Sequence, residues 1–369
     1  MEIKNLIPFF GIDRQYLTIR DELLNASDEV YRTGQVLGGQ QTFNFELAIA
    51  ERCQRRYAVA VGSCTQGLIF SLMAGPKAGE KVMIPTISFA ATINSVLLSG
   101  HEPVFCDTDY KALIDLESSD YALKGAGVGA IMYANLFGNT IDYDRFRVMT
   151  EFFNQDLFIL EDAAQSFGAS YKGIPSGKLG TASVLSFDPT KNLPNYGSGG
   201  MILTDDYEFF CNVVDLRDNG KTSGHQIPGT NSRMSESDCA QMLVKLKYFD
   251  AWQKRRTAIA EYYIENLVSY VDVLLPNEDV VHAWHKFVIR LSNRHALMQY
   301  MRDAGIETKM HYDKPLFELP VGYEYTDYMN EFFRESSAYT RECMSLPIYP
   351  EMTDAEVEHV VRTIKQFFS

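Results

Sequence analysis

Residues 157–200, LFILEDAAQSFGASYKGIPSGKLGTASVLSFDPTKNLPNYGSGG, decide the fold of this chain. Two short apolar runs, one ending at Asp162 and one at Ser186, alternate with segments rich in glycine and small polar residues. Apolar runs of this length between turn residues are typical of buried strands. The stretch therefore predicts two strands of one sheet, with polar side chains where the strands end.

The same alternation recurs through the first half of the chain. Short apolar runs at 58–62, 82–89, 103–109 and 129–138 are followed by small polar residues. Helical spacing comes after several of these turns. Strand, turn and helix in repeated order predict βαβ units and a mostly parallel sheet. Ligands bind such sheets at the carboxyl ends of the strands, so we expect the polar clusters there to form one site.

The pattern of apolar and charged residues changes in the second half of the sequence. From about Ser235 a long, charged, amphipathic stretch predicts a long helix. The segments 283–291 and 306–312 then alternate like strands. A chain of 369 residues is long enough for two domains. We place the boundary near residue 246, which gives a large domain at 1–246 and a smaller C-terminal α+β domain at 247–369.

Composition narrows the class of protein. With a net charge of −14, the surface repels nucleic acid and anionic membranes, so neither is an expected partner. The six cysteines lack the close spacing of zinc or redox motifs, so we predict no metal site and reduced thiols. Neither a signal peptide nor an apolar run of about 20 residues is visible. We therefore expect a cytoplasmic protein.

The stretch 157–200 also carries candidate chemistry. A carboxylate buried at Asp162 is unfavourable without a cationic partner, and a protonated pyridine nitrogen is one such partner. Lys191 follows in a tight turn, where lost solvation favours the neutral, nucleophilic amine. Ser186 can bind a phosphate oxygen, and the glycines at 197–200 let a flat ligand approach the backbone. Each feature alone also fits a strand cap, a solvated turn or a hairpin.

Taken together, EDAAQSFGA, the pattern SF-x-x-TKNL and YGSGGM resemble the DegT/DnrJ/EryC1/StrS family of sugar aminotransferases. Further matching segments occur in the family's order and extend the resemblance over essentially the whole chain. These segments are TGQVLGGQQTFNFE, VGSCTQGL, IPTISFAATINSV, NLFGNTID, LRDNGK, GTNSRMSESDCAQM, WHKFVIR, GIETKMHYDKPL and SLPIYPEMT. The resemblance implies a fold-type I α/β enzyme that uses pyridoxal 5′-phosphate, with a mostly parallel seven-stranded sheet flanked by helices.

The resemblance also implies roles around the cofactor ring. Lys191 is the expected Schiff-base lysine, which later carries the proton, and Asp162 is expected to pair with the ring nitrogen. Gln165 is expected near the phenolic oxygen of the ring. Phe89 is expected to stack on the ring face.

A second group of residues is implied for the cofactor phosphate. Ser63, Cys64 and Thr65 form the turn expected to hold it at a helix N-terminus, together with Ser186. Asn231 is expected to reach the same phosphate from a partner subunit. The resemblance therefore implies a homodimer with two shared active sites.

The implied substrates are L-glutamate as amino donor and a nucleotide-linked keto sugar as acceptor. An acidic protein needs a local cation to bind the pyrophosphate, and the candidates are Lys221, Arg233 and Arg32. We expect Gly38 to let a backbone amide approach the sugar. His311 and Tyr312 are further candidate substrate contacts. The segment after Lys191 favours a dTDP-linked 4-keto-6-deoxyhexose, made for a surface polysaccharide such as the O-antigen of lipopolysaccharide.

Alternatives and departures from the family pattern accompany this expectation. Amination of the acceptor at carbon 3 is one alternative. Related sugar dehydratases are a second, and they carry His where this chain has Lys191. A regulatory protein on a non-catalytic scaffold is a third alternative. Asp188 replaces the aromatic residue usual after SF, and Asn135 replaces a usual His. The phosphate turn reads Gly62-Ser63-Cys64-Thr65, where NGT or SGT is common.

Overall fold

The computed structural model describes residues 6–153, 156–326 and 333–369. The helices, in chain order, are α1 (Ile12–Thr33), α2 (Gln40–Arg52), α3 (Cys64–Ala74), α4 (Ala91–Leu98), α5 (Leu116–Ala126), α6 (Tyr143–Phe153), α7 (Tyr207–Arg217), α8 (Glu236–Leu246), α9 (Phe249–Leu267), α10 (Arg294–Asp303), α11 (Arg334–Glu342) and α12 (Asp354–Phe367). The strands are β1 (Tyr57–Val61), β2 (Lys81–Pro85), β3 (Glu102–Cys106), β4 (Val128–Ala134), β5 (Phe158–Asp162), β6 (Ser170–Tyr171), β7 (Ile174–Pro175), β8 (Ala182–Ser186), β9 (Gly200–Thr204), β10 (Asp272–Val273), β11 (Val280–Val281), β12 (Phe287–Arg290) and β13 (Cys343–Leu346).

A seven-stranded sheet in the order β1-β9-β8-β5-β4-β2-β3 forms the centre of the molecule. Strand β9 runs antiparallel to both of its neighbours, β1 and β8. The other neighbouring strands of this sheet pair in parallel. The carboxyl ends of β1, β2, β4, β5 and β8 therefore meet at one edge of the sheet. The predicted mostly parallel α/β architecture is confirmed.

Helices cover both faces of this sheet, as the pattern of β1 shows. Val59 and Val61 pack into the core that contains residues of α3 and α7, whereas Ala58 and Ala60 pack with residues of α2 and α8. Successive strand residues point to opposite faces, so a strand that is apolar at every position must be covered on both sides. That is why the strands read as continuous apolar runs in the sequence.

The chain beyond α8 builds a second sheet, β10-β12-β13, whose strands are antiparallel. Helices α9, α10 and α12 supply apolar side chains to the core beside this sheet. The predicted boundary near residue 246 falls between α8 and α9, and the division into two domains stays a prediction. No described helix is long and apolar enough to cross a membrane.

Two details of the second half differ from the sequence-based expectations. The long helix is interrupted at 247–248, between α8 and α9. The segment 283–291 contains β12, but 306–312 forms no strand, and that prediction was wrong. Lys309 makes only an isolated bridge to Ser345 of β13, because the next residues turn away and the His311 imidazole bonds the Ser345 hydroxyl at 2.8 Å.

Two acidic residues end β5, and their side chains point to opposite faces of the sheet because they are neighbours on a strand. Glu161 is fully buried. Its carboxylate accepts hydrogen bonds of 2.7–3.1 Å from five residues, which are Asn135, Ser176, Gly177, Leu179 and Ser183. This carboxylate therefore joins the ends of β4, β5 and β8 to the loop at 176–179.

We predict that Glu161→Gln lowers the free energy of unfolding by about 2–4 kcal/mol, because the new amide N–H groups face existing donors and leave them unpaired. Denaturant unfolding followed by circular dichroism measures the change. Glu358→Gln is the matched control, since Glu358 is exposed on α12, and it should change stability by less than about 0.5 kcal/mol. Equal stability of the two variants would contradict the structural role of Glu161.

Candidate active site

A cavity of about 310 Å³ opens at the carboxyl edge of the central sheet. Loops that follow β1, β2, β4, β5 and β8 form most of its wall, and segments from the second half of the chain complete it. Its volume lies in the range of small-ligand pockets. Ten residues singled out from the sequence line it together: Ser63, Cys64, Thr65, Phe89, Asp162, Gln165, Ser186, Lys191, His311 and Tyr312.

Asp162 is the second carboxylate at the end of β5, and its side chain faces the cavity. The residue is only 7% exposed, and burial raises the pKa of its carboxyl to about 6. The Ala164 amide, which donates to it at 3.1 Å, and the nearby Lys191 oppose that rise only in part. A buried acid of this kind is stabilised in its charged form by a cationic partner. Asp162 therefore fits a protonated ring nitrogen of a ligand.

Lys191 is presented to the cavity by a turn that Asp188 builds. The Asp188 carboxylate accepts from the amide and the hydroxyl of Thr190 at 2.9 and 2.7 Å, and its carbonyl accepts from the Lys191 amide at 2.9 Å. Burial lowers the pKa of the Lys191 amine. The turn fixes the position of a lysine whose neutral form is favoured, as a nucleophile requires. Asp188, which departs from the family pattern, thus has a local structural function.

The chain beyond Lys191 is held on several sides. The Asn192 side chain donates to the Ala283 carbonyl at 2.7 Å and lies 3.2 Å from the ring nitrogen of His285. The Lys245 ammonium donates to the Pro194 carbonyl at 2.6 Å. Burial also lowers the pKa of His285 well below its usual value, so this cavity residue is neutral. These contacts keep the Lys191 turn in one position.

One end of the cavity fits a phosphate. Helix α3 begins at Cys64 with Ser63 as its N-cap, and the first amides of a helix have no partner within the helix. A side chain at Gly200 would lie 2.7 Å from the Cys64 nitrogen, so glycine is needed for β9 to approach this turn. Burial raises the pKa of the Cys64 thiol well above its usual value, which keeps it uncharged beside an anion.

The opposite wall carries aromatic and amide groups. The Gln165 side chain accepts from the Phe137 amide at 3.0 Å and donates to the Tyr312 hydroxyl at 2.9 Å, which fixes its orientation. Phe89 is 59% exposed although it lines the cavity. Its ring centroid lies 6.3 Å from that of Tyr312. An uncovered phenyl ring at this position is suited to packing against a flat ligand.

Asn135, the other departure from the family pattern, is buried and serves the fold. Its side chain donates to Glu161 at 2.9 Å and accepts from the Ile141 amide at 3.1 Å. Both ends of its amide group are thus engaged within the protein. Although Asn135 lines the cavity, this pairing supports a positioning role.

Three residues predicted to contact ligands lie outside this cavity. Gly38, Lys221 and Asn231 are exposed and are not part of its wall. Asn231 forms a bridge to Asp218 at the molecular surface. The ligand contacts of these three residues therefore stay predictions.

Several wall residues were not singled out from the sequence. Ser88, next to Phe89, could have been found from its place at the end of β2. His285 and Lys286 lie in the segment predicted as a strand, where no pattern distinguishes them. Other polar or aromatic wall residues that the sequence did not single out are Phe10, Thr190, Ser198 and Lys309. Among the described residues, no group of three or more potential metal ligands occurs.

Comparison with known proteins places this geometry in context. A model of the DegT/DnrJ/EryC1/StrS aminotransferase family matches residues 17–365. The chain is 30% identical over 367 residues to the dTDP-3-amino-3,6-dideoxy-alpha-D-galactopyranose transaminase of Aneurinibacillus thermoaerophilus, covering 98% of this chain and 99% of the relative.

Solved structures share the fold over nearly the same length. DesV of S. venezuelae, determined in complex with a ketimine intermediate, has a TM-score of 0.93 and 28% identity, with 98% of each chain covered. NtdA of Bacillus subtilis, determined with the bound cofactor PMP, has a TM-score of 0.90 and 26% identity, covering 99% of this chain and 86% of its own.

The Asp162 carboxyl predicts a stability effect that depends on pH. Its pKa rises from 3.8 to about 6 on folding, so the apoprotein loses stability as pH rises through this window. We expect Asp162→Asn to stabilise the cofactor-free protein above pH 6 by on the order of 3 kcal/mol. The gain should fade as the pH falls towards 4. Thermal unfolding of the cofactor-free proteins at several pH values measures this, and a gain independent of pH would contradict it.

The Asp188 turn predicts a separable effect on Lys191. Asp188→Ala removes the acceptor of two hydrogen bonds, so we expect the rate at which Lys191 binds an added aldehyde cofactor to fall about tenfold. Asp188→Asn keeps an acceptor oxygen and should restore most of the rate. Stopped-flow absorbance of the free protein with added cofactor measures both. If the Asn variant is as slow as the Ala variant, the turn is not what Asp188 provides.

Proposed function

The chain belongs to the DegT/DnrJ/EryC1/StrS aminotransferase family, and on that premise we propose that it transfers an amino group from L-glutamate to a dTDP-linked keto-6-deoxyhexose. It is an aminotransferase of nucleotide sugars, and its cofactor is pyridoxal 5′-phosphate. The observation that carries the proposal is the meeting of Asp162, Lys191 and the N-terminus of α3 in one cavity.

The cavity residues fit this cofactor. Burial keeps the pKa of the Asp162 carboxyl raised, because the nearby Lys191 offsets the effect of burial only in part. In the bound cofactor, Asp162 would face the ring nitrogen. Ser186 and the turn at 63–65 would hold the phosphate, and Phe89 would cover one ring face. When bound, pyridoxal phosphate supplies an electron-accepting ring that stabilises negative charge on the substrate carbon.

The chain's own groups provide proton transfer and orientation. Burial lowers the pKa of the Lys191 amine, so it can accept a proton from the substrate carbon and return it. The turn at Asp188 and the contacts of Asn192 hold the amine in place during both transfers. His285 stays neutral, so it adds no charge that would repel a protonated Lys191.

The acceptor sugar would extend from the cavity towards surface residues. Lys221 and Gly38 are exposed and lie outside the cavity wall. In a homodimer with shared active sites, these groups and Asn231 would approach the cavity of the partner chain. Lys221 would then offset the charge of a pyrophosphate, which the net charge of −14 otherwise disfavours.

The carbon that receives the amino group has two candidates. The segment after Lys191 favours carbon 4 on sequence resemblance. The name of the relative from Aneurinibacillus thermoaerophilus favours carbon 3. Both products would serve the synthesis of a surface polysaccharide such as an O-antigen, and the chemistry at Lys191 is the same for both.

Lys191 separates this proposal from the other functions weighed. A dehydratase of the same family would carry His at this position, as the resemblance implies. A regulatory scaffold would have no need of a buried, low-pKa lysine beside a buried acid. The intact pair Asp162 and Lys191 therefore favours catalysis by transamination.

We predict that the enzyme, supplied with pyridoxal phosphate and L-glutamate, forms an amino sugar from dTDP-linked 3-keto or 4-keto-6-deoxyhexose. Mass spectrometry detects the product, and NMR assigns the aminated carbon. Lys191→Ala should abolish turnover, because it removes the amine proposed to bind the cofactor and transfer the proton, while Lys254→Ala on the exposed face of α9 should leave it unchanged. If glutamate still reacts with the bound cofactor but no keto sugar in the panel is aminated, the proposed acceptor is refuted.

A further inference from the structure

Two lysines on the cavity wall have no part in the chemistry described so far. Lys286 directly precedes β12 and is only 5% exposed, and Lys309 lies on the exposed side of the wall. Both line the same cavity as Lys191. Among the residues on this wall, these three lysines are the cationic side chains.

The two ammonium groups gather around one pair of aromatic rings. Lys286 Nζ lies 4.3 Å from the Phe10 ring centroid and 5.1 Å from that of Phe9. Lys309 Nζ lies 4.6 and 5.3 Å from the same two centroids. In the part of the chain that the structure describes, neither ammonium forms an ion pair with a carboxylate. Two lysine side chains without an ion-pair partner among the described residues therefore share one pair of aromatic rings.

A buried ammonium without an ion-pair partner is unfavourable, and contacts with aromatic rings compensate for that cost only in part. Burial lowers the pKa of Lys286 well below its usual value, and the charges of Lys191, Arg256 and Lys309 lower it further, whereas the Asp188 carboxylate opposes this shift only in part. An anion at this place would remove the repulsion and pair with both lysines. The arrangement therefore favours binding of a negatively charged ligand group.

The cofactor phosphate is a poor candidate for this anion. Its proposed partners, the turn at 63–65 and Ser186, follow β1 and β8. Lys286 comes from the far half of the chain, and its amide donates to the Phe137 carbonyl beyond the end of β4 at 3.1 Å. In the sheet, β9 lies next to β1, the strand that precedes the phosphate turn. Strands β8 and β5 separate β9 from β4. The two anion sites are thus at different strand ends.

The amino donor supplies a more suitable anion. A keto-6-deoxyhexose has no carboxylate, and its pyrophosphate is assigned above to Lys221 outside the cavity. An amino acid must enter the cavity to reach Lys191, and its carboxylates come with it. Lys191 is committed to the cofactor, so Lys286 and Lys309 are the wall cations left to bind them.

We propose that Lys286 and Lys309 form a carboxylate subsite that binds the side-chain carboxylate of a dicarboxylic amino donor and so selects glutamate over glutamine. The inference rests on the proposed function, because it names the residues that recognise the donor of that reaction. A carboxylate on the sugar could use the same chemistry, and the experiment distinguishes the two sources.

The test uses the dimeric holoenzyme and glutarate, an unreactive dicarboxylate. Calorimetric titration should show the Kd of glutarate rising about 10- to 100-fold in Lys286→Gln, because a buried charge partner is lost. In the first half-reaction, kcat/KM for glutamate should fall by a similar factor, mainly through KM, while that for glutamine stays within about twofold. Lys309→Gln should show a smaller change of the same kind, since Lys309 is exposed.

Lys254→Gln removes one equivalent charge from α9 and should bind glutarate like the unmodified enzyme. An unchanged glutarate Kd in both cavity variants would overturn the subsite, as would an equal loss for glutamate and glutamine. Loss of cofactor absorbance in Lys286→Gln would assign the lysine to the phosphate instead. If Lys286→Gln does not fold, Lys309→Gln and Lys286→Arg supply the comparison, with glutarate binding retained in the Arg variant.

Two further outcomes separate the sources and the hypotheses. Weaker binding of a nucleotide-linked hexuronate, with glutarate and glutamate unaffected, would overturn the assignment to the donor. Glutarate binding requires no turnover. An enzyme that binds glutarate through Lys286 yet aminates no keto sugar would refute the proposed acceptor and support the subsite.

Discussion

The site depends on two adjacent carboxylates at the end of β5 that have opposite surroundings. Alternation along the strand sends Glu161 into the protein and Asp162 into the cavity. Five residues donate hydrogen bonds to Glu161, whereas Asp162 has the Ala164 amide, the Thr92 hydroxyl and the nearby charge of Lys191. The protein thus engages Glu161 on all sides and leaves Asp162 facing the cavity. A shift of one residue in the register of β5 would exchange the two environments.

Glu161 also explains how the other parts of the site are kept in position. Its contacts tie β4 through Asn135 and β8 through Ser183. The guanidinium of Arg55 reinforces the same region, since it donates to the Gly177 and Gly180 carbonyls at 2.7 Å. The strands that carry Asp162 and Ser186 are therefore held by a buried polar network as well as by the sheet ladder. Such a network positions ligand-binding groups more narrowly than apolar packing does.

The cavity is completed by parts of the chain that are far apart in sequence. The N-terminal pair Phe9 and Phe10 packs against Lys286 and Lys309, and the Phe9 amide donates to Glu307 at 2.9 Å. The turn at Lys191 is joined to α8 through Lys245 and to the segment before β12 through Asn192. The turn that carries Lys191 is thus held by contacts from both halves of the chain.

By itself, the sequence determined the parallel sheet and the residues at its strand ends, because both follow from local patterns. Apolar runs of strand length, turns of small residues and the place of Asp162 and Lys191 within them are visible without contacts. The tertiary structure decided which groups face one another. Asp188 stabilises the turn before Lys191, and the Asn135 amide donates to Glu161. Lys286 and Lys309 both lie against the Phe10 ring. The tertiary structure also left 306–312 without a strand, since pairing there depends on β13 and not on alternation. Asn135 and Glu161 are 26 positions apart, and Phe10 and the two lysines come from opposite ends of the chain, so these contacts are not visible in a local pattern.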